Sequence, residues 1–562
     1  MAPLDTVRKP SFIKLMLDPF DNGEMMSSMR IRDEVDRRVK KMTECLKNEL
    51  QAASAVCTCF DIWSSTNRSF LGGSVHWIDS QSFERKSAGL MCSRFKGRHT
   101  YSSIRKAITK VHLDFKIFNK ISHTITDNGS NFVKAFRRSE IDQENNASAS
   151  IDQENNTSSV NDISDELVLT GHLSAGDLIL YNENALSDEF YLNLPIIESD
   201  PIDAESSMPK HVRCFSHTLN LVAARDTCNS LNDETYKSLY SSAMKKAKTL
   251  WNLIGKSPLA AENAFHQLGV HLPRPVDTRW NSLFDAIIAL LKCSNKLGKL
   301  NQTPSLTLNL TMTKRFSFYI EATCLALNIP RFSREELQFL DGYATVLRPL
   351  ATALDILQGD QNCYLGYVLP ALRKIYNTIF KINIPEVSPL KNAVLSGLDK
   401  RFSNYFDDED FIVATCVHPK FKLKWFQSTD PSKAAEMELK RSAAKSLVHE
   451  VLMRTAAGNA NHSSGTDTGK ESEDFLSFED EAPFRSSIYQ LFLDDNDETL
   501  QGLTKHPEIK SLFLRFNTTI PSSAPVERMF SLANLVLTAK RNSLGDDIFE
   551  KLLLLKINGI PN

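Results

Sequence analysis

Val35, Val39, Met42, Leu46 and Leu50 recur at intervals of three or four residues, with Arg37, Arg38, Lys40 and Lys41 between them. That spacing predicts an amphipathic helix. The period then shortens. Three runs rich in β-forming residues, about 56–63, 70–78 and 87–95, are separated by Ser, Asn and Gly or by the polar stretch SQSFERK, and they predict an antiparallel meander. Ile104, Ile108 and Val111 put one apolar face on SSIRKAITKVHL, a second helix. His123 to Thr126 predicts a strand ending at Asp127, with a helix from Asn131. Farther on, His211 to Phe215 predicts a strand and TLNLVAAR a helix from Thr218. The predicted order is β-β-β-α-β-α-β-α.

From about Tyr236 to Arg454 the period is helical, as in SLFDAIIALLKCSNKL and ELQFLDGYATVLRPLATALDIL. Near the C-terminus Ser522 and Ser523 are candidate N-caps and Pro525 suits a first turn. Met529, Phe530, Ala533, Val536 and Leu537 supply that helix with a buried face. The last apolar segment, IFEKLLLLKI, is crowded: Leu552 to Leu555 cannot all face one core. Either a partner chain covers one side, with Phe549, Leu552, Leu553 and Leu555 at a dimer interface, or the chain covers the helix itself. The expected fold is α/β, a mixed-sheet core interrupted by a large all-α insertion.

With 562 residues the chain is long enough for about three or four domains, or for one large core with insertions. Its 42% hydrophobic and 24% charged residues exclude a collagen-like, fibrous or wholly disordered chain. No apolar run approaches the roughly 18 residues of a membrane helix, and the first 20 residues lack the apolar centre of a signal peptide. The expectation is a soluble intracellular protein, without a membrane partner, whose ten Cys are mostly reduced thiols.

The net charge of −2 hides a segregation: Ser139 to Pro209 holds 16 Asp or Glu and no Lys or Arg. A second tract, Glu471 to Glu498, has 10 acids against Arg485 alone, so the remaining chain is strongly basic. Such a surface suits a polyanion, although dispersed Lys and Arg also serve plain solvation. The duplicated IDQENN at Ile141 and Ile151, amid Ser and Asn, marks an acidic insert expected to be disordered, and 456–482 reads as a linker. The expected organisation is an N-terminal helical segment (1–50), a core (51–235, with 139–209 as the insert), an all-α insertion (236–455), a linker (456–482) and core completion (483–562).

A meander followed by α, β, α, β, α is the layout of a ribonuclease H-like core. In it Asp61, on the first strand, and Asp127, closing the fourth, become spatial neighbours, and Glu527 on a late helix adds a third carboxylate. Three carboxylates around a gap can bind two hard divalent cations, Mg²⁺ or Mn²⁺, for phosphodiester chemistry. An Asp before Asn-Gly is also a common turn or cap residue.

The motifs together narrow the reading. FDIWSSTNRSFLGGSVHWID around Asp61, ITDNGSNFVKAF around Asp127, RCFSHTLNLV with Cys214 and His217, VDTRWNSLFDAI with Arg279 and Trp280, and PSSAPVERMFSLANLVLTAKRNSL around Glu527 occur in that order. In this the chain resembles the hAT superfamily of DNA transposases. The resemblance implies a nuclear, dimerising protein acting on DNA, with Asp61, Asp127 and Glu527 as catalytic and metal-binding residues. It also implies DNA contacts from Cys214, His217, Arg279 and Trp280, with Trp280 stacking on a base or else serving as a core residue, and a dimerisation region reaching Phe549 to Leu555. Cys214 and His217 alone make an incomplete zinc site, and Cys57 and Cys59 read as packing residues. The family usually begins with a BED-type zinc finger, and no paired Cys and His precede Asp61 here, so no finger is evident. Two expectations follow: a strand-cutting and strand-joining enzyme, or a domesticated, non-catalytic dimer acting as regulator or scaffold.

Overall fold

In the computed structural model the described residues are 28–65, 68–136, 208–276, 280–293, 320–359, 362–427, 434–460, 481–538 and 544–559. The acidic insert up to residue 207, the 461–480 part of the linker and Arg279 lie outside them. The fold is mixed α/β. Its strands are β1 (Val56–Ser65), β2 (Arg68–Ile78), β3 (Arg85–Arg94), β4 (Ile121–Thr126) and β5 (His211–Arg213), in the sheet order β3-β2-β1-β4-β5. The meander is antiparallel, whereas β4 runs parallel to both β1 and β5. All five strands were expected. The last is shorter than its sequence suggests, because Cys214 leaves the extended conformation to cap the helix Phe215–Ala224.

Alternation along β1 sorts its side chains between two cores. Val56 and Phe60 face a small core completed by Leu46 and Leu50 of the N-terminal helix (Ser28–Ala52), Ile104 and Ile108 of the helix Tyr101–Asp114, and Phe132. Cys57 and Cys59 face the opposite side, where one large core runs from the sheet through the helical block to the C-terminal helices. Both thiols are fully buried, as their packing role requires.

The described residues from Glu234 to Ala460 form helices without a strand. Polar anchors join this block to the sheet. The buried guanidinium of Arg85, on β3, donates at 2.6 Å to the carbonyls of both Asn517 and Thr518, at the C-terminal end of the helix Pro507–Asn517. Those carbonyls have no partner inside their own helix and carry its negative dipole end. On the other side of the sheet centre, His123 of β4 bonds Thr519 through Nδ1 and Asp410 through Nε2, at 2.8 and 2.7 Å.

In the C-terminal helix (Asp546–Asn558) the second of the two alternatives, cover by the chain itself, is the one seen. Phe549, Leu552, Leu553 and Leu555 do not form a partner-facing stripe. Phe549 and Leu553 are buried in the large core, Leu554 and Leu555 pack with Val35 and Met42 of the N-terminal helix, and Leu552 is half-buried against that cluster. The crowded leucines are explained by two intrachain neighbours, one on each side. The same helix seals the edge of β3: Glu550 accepts from the Cys92 amide and the Ser93 hydroxyl, and Asn558 bonds both the amide and carbonyl of Gly89. An unsealed edge strand invites pairing with another chain.

Replacing Leu553 by Ala is therefore expected to lower unfolding stability by about 2–5 kcal/mol, measured by urea denaturation. An oligomeric state that changes while the stability does not would contradict the intrachain role.

Candidate active site

Strand register places the first two carboxylates. Cys59 is paired with Ile125 at the end of the parallel β1–β4 ladder, and the same register continued by two residues sets Asp61 beside Asp127, the residue that follows β4, on one face. Neighbouring strands lie about 4.8 Å apart. The face is that of Cys59, which is also the face covered by the helix carrying Glu527 (Ala524–Val536).

That helix can settle there because of Gly72. In β2 this residue pairs with Asp61, and a Cβ at this position would fall 2.5 Å from Cε1 of Phe530 and 3.1 Å from Cγ1 of Val526. The missing side chain leaves room for the helix against the strand pair. Trp63, two residues beyond Asp61, then stacks on Phe530 with centroids 5.7 Å apart.

Cys214 fixes the start of two helices. Its sulfur accepts the His217 amide at 3.4 Å and the Ser523 amide at 3.3 Å, while its own amide donates to the Thr126 carbonyl at 2.8 Å. The thiol thus joins the end of β4, the His217 helix and the Glu527 helix. Burial pushes its pKa up. Ser523 makes no side-chain cap; Ser522 does this instead, its hydroxyl accepting the Ala524 amide at 3.1 Å.

Asp61 Oδ1 accepts its neighbour's amide, that of Ile62, at 2.7 Å, and Asp127 Oδ1 accepts the Gly129 amide at 3.0 Å. Neither carboxylate has a basic side chain bonded to it among the described residues. The Asp61 carboxyl is consequently held well above the usual range, by burial first, then by the charge of Asp127, with a smaller contribution from Glu527; the Ile62 amide opposes the shift. Asp127 is raised by burial against the Gly129 amide and the nearby His217. Glu527 is exposed and His217 half-buried. The structure thus brings together Asp61, Asp127, Glu527 and His217, each near enough to influence another's ionisation.

An all-carboxylate donor set suits a hard cation such as Mg²⁺ or Mn²⁺, and two crowded acids with raised pKa values are relieved by positive charge. The described residues contain no group of three His, Cys, Asp or Glu gathered tightly enough to hold one ion alone.

Two expected DNA contacts are placed elsewhere. Cys214 is 1% exposed and its sulfur is committed to backbone amides. Trp280 is 7% exposed; its indole N–H donates to Asn220 at 2.6 Å and its ring lies 6.2 Å from that of Phe284. In this arrangement neither presents a surface to a nucleic acid base, and the core alternative for Trp280 is the one found. Gly72 and the backbone role of Cys214 escaped the sequence reading, whereas Ser522 is one of its two candidate caps. The GG pair beside a strand position opposite Asp61 was the available signal for close approach.

Compared with the models of known protein families and with curated proteins, the chain matches none.

Two outcomes are expected of this geometry. Gly72→Val should destabilise the fold by about 1–3 kcal/mol through overpacking, and a Phe530→Ala change should recover part of that loss in a double-mutant cycle. The raised carboxyls give the second. A carboxyl with a folded pKa above its unfolded value favours the folded state at low pH, and that contribution disappears as pH rises through the folded pKa. Without divalent cations, Asp61→Asn should therefore raise the melting temperature near pH 7 and leave it little changed near pH 3. Added Mn²⁺ should raise it in the wild type more than in the variant, as read by thermal melts.

Proposed function

We propose that Asp61, Asp127 and Glu527 form a metal-dependent phosphoryl-transfer centre on a ribonuclease H-like sheet, which cuts and joins DNA strands as the hAT resemblance implies. One observation carries this reading: the register that sets Asp61, inside β1, beside Asp127, the residue after parallel β4, on the face where the Glu527 helix rests against Gly72. The sheet order supports the ribonuclease H-like assignment, since an antiparallel meander is followed by two parallel strands across its open side.

In this reading Asp61 and Asp127 are the paired ligands, each held in one rotamer by its amide bond. Glu527 approaches from the exposed side, where a phosphodiester enters. His217 lies close enough to Asp127 to favour its charged form and can orient it. Cys214 positions both helices without touching substrate. Asp61, Asp127 and Glu527 would hold Mg²⁺ or Mn²⁺, which would supply positive charge toward an attacking water or 3′-hydroxyl and the leaving oxygen. A nuclear location follows from a DNA substrate.

The alternative, a domesticated regulator or scaffold without catalysis, is favoured by the looseness of the carboxylate group, in which no three acids close on one point. Plasmid nicking and strand joining separate the two. Purified protein in Mg²⁺ or Mn²⁺ should nick supercoiled DNA, and Asp127→Asn should reduce the rate to background while melting cooperatively. Equal background signals from both proteins would favour the regulator.

A further inference from the structure

Along the outer edge of β5, on the flank of the sheet opposite β3, lies a cleft of about 780 Å³. This is within the roughly 300–1,000 Å³ typical of small-ligand sites. Its wall begins where the carboxylates end. Asn128 follows Asp127, Thr218 follows His217, and the Asn128 amide nitrogen donates to the Thr218 hydroxyl at 3.0 Å. The other amide atom of Asn128, Oδ1, is buried without a hydrogen-bond partner among the described residues. A buried orphan acceptor on a cleft wall points to a donor that arrives with a ligand.

The charge of the wall suggests what that ligand is. Lys210, Arg213, Lys400 and Arg401 line it, against a single carboxylate among the described residues, Asp408. Lys210 is committed to Asp410 at 2.6 Å, and Arg401 grips Asp226 at 2.6 and 2.8 Å. Arg213, at the end of β5, is exposed and has no ion pair among the described residues. It pairs with Thr126 in the ladder, one residue before Asp127. A guanidinium with its fork unused is suited to a phosphate. Phe136 and His211 stack beside it with centroids 4.6 Å apart and planes 11° from parallel, giving a flat aromatic wall.

We propose that this cleft seats one phosphate-bearing nucleotide, with Arg213 on the phosphate, the Phe136–His211 pair beside the base, and Asn128 Oδ1 accepting from the base edge. The inference deepens the strand-cutting reading and rests on it for the source of the nucleotide: a residue of the DNA strand adjoining the scissile phosphate. A free nucleotide shares the same chemistry. The acidic centre and the basic cleft then divide one strand between them, the first taking the phosphate that is cut and the second holding its neighbour.

The test is fluorescence anisotropy of a labelled single-stranded oligodeoxythymidylate with the full chain in EDTA, so that binding is read apart from any metal-dependent reaction. Arg213→Gln should weaken binding about tenfold and reduce the slope of log affinity against log salt by about one, the signature of one lost phosphate contact. Arg213→Lys, which keeps the charge, should restore the slope. A lost base contact or a merely weakened fold lowers affinity without changing that slope. Unlabelled thymidine monophosphate competing at similar concentration supports the seat with free nucleotide as its ligand, and competition by oligonucleotide alone supports it with a strand. Identical affinity and salt slope for wild type and Arg213→Gln would overturn the proposal. Should the wild type bind through Arg213 yet fail to nick DNA, the cleft stands and the strand-cutting reading falls.

Discussion

The helix carrying Glu527 can lie on the sheet only where the sheet lacks a side chain, and that place is Gly72, paired across the ladder with Asp61. Everything assembled at the carboxylate edge depends on this approach. A Cβ at position 72 would meet the ring of Phe530, and shifting that ring would disturb its stack on Trp63 and move the first turn of the helix away from β1. The Cys214 sulfur acts from the other end, where it receives the Ser523 amide and fixes the direction in which the helix leaves the sheet. A steric allowance and a thiol acceptor, both uncharged, thus place the charges.

The charges have a cost of their own. Asp61 and Asp127 are brought together in partly buried surroundings with one amide each to stabilise them, and both carboxyls are raised as a result. A protein selected for stability alone would not keep such a pair unpartnered, because buried like charges are among the more expensive arrangements a fold can carry. Perturbed carboxyls in a group mark the place where a functional site is sought first. The nearby basic wall at Arg213 and Lys210 shows the opposite sign, so the potential changes over a short distance along the ends of β4 and β5.

Much of this could be read before the structure. Runs rich in β-forming residues located β1, β2 and β3, and the expected order of elements already made Asp61 and Asp127 neighbours. The contribution of Glu527 rested on resemblance, since nothing in PSSAPVERMF indicates which strand the helix will meet. Other features were hidden because they are properties of space rather than of pattern. The burial of Trp280 depends on Asn220, which lies in another helix and accepts the indole N–H. The leucine run 552–555 correctly signalled two apolar neighbours, but sequence cannot distinguish a second chain from the chain's own N-terminal helix. Arg213 drew no notice at all, because a lone Arg after a short strand becomes significant only when a cleft opens beside it.

The sealing of β3 by Glu550 and Asn558 bears on how the molecule is made. The β3 edge of the sheet is finished by residues 458 and 469 positions further along the chain, and the helix that carries them also packs on the helix Ser28–Ala52. Contacts so distant in sequence form late. Until Glu550 and Asn558 are made, β3 exposes open hydrogen-bonding groups, and until residue 527 is made Asp61 stands without the helix of Glu527. The nascent protein is therefore both prone to wrong pairing and without its assembled carboxylate edge, so a prematurely terminated chain has neither a protected sheet nor a complete centre.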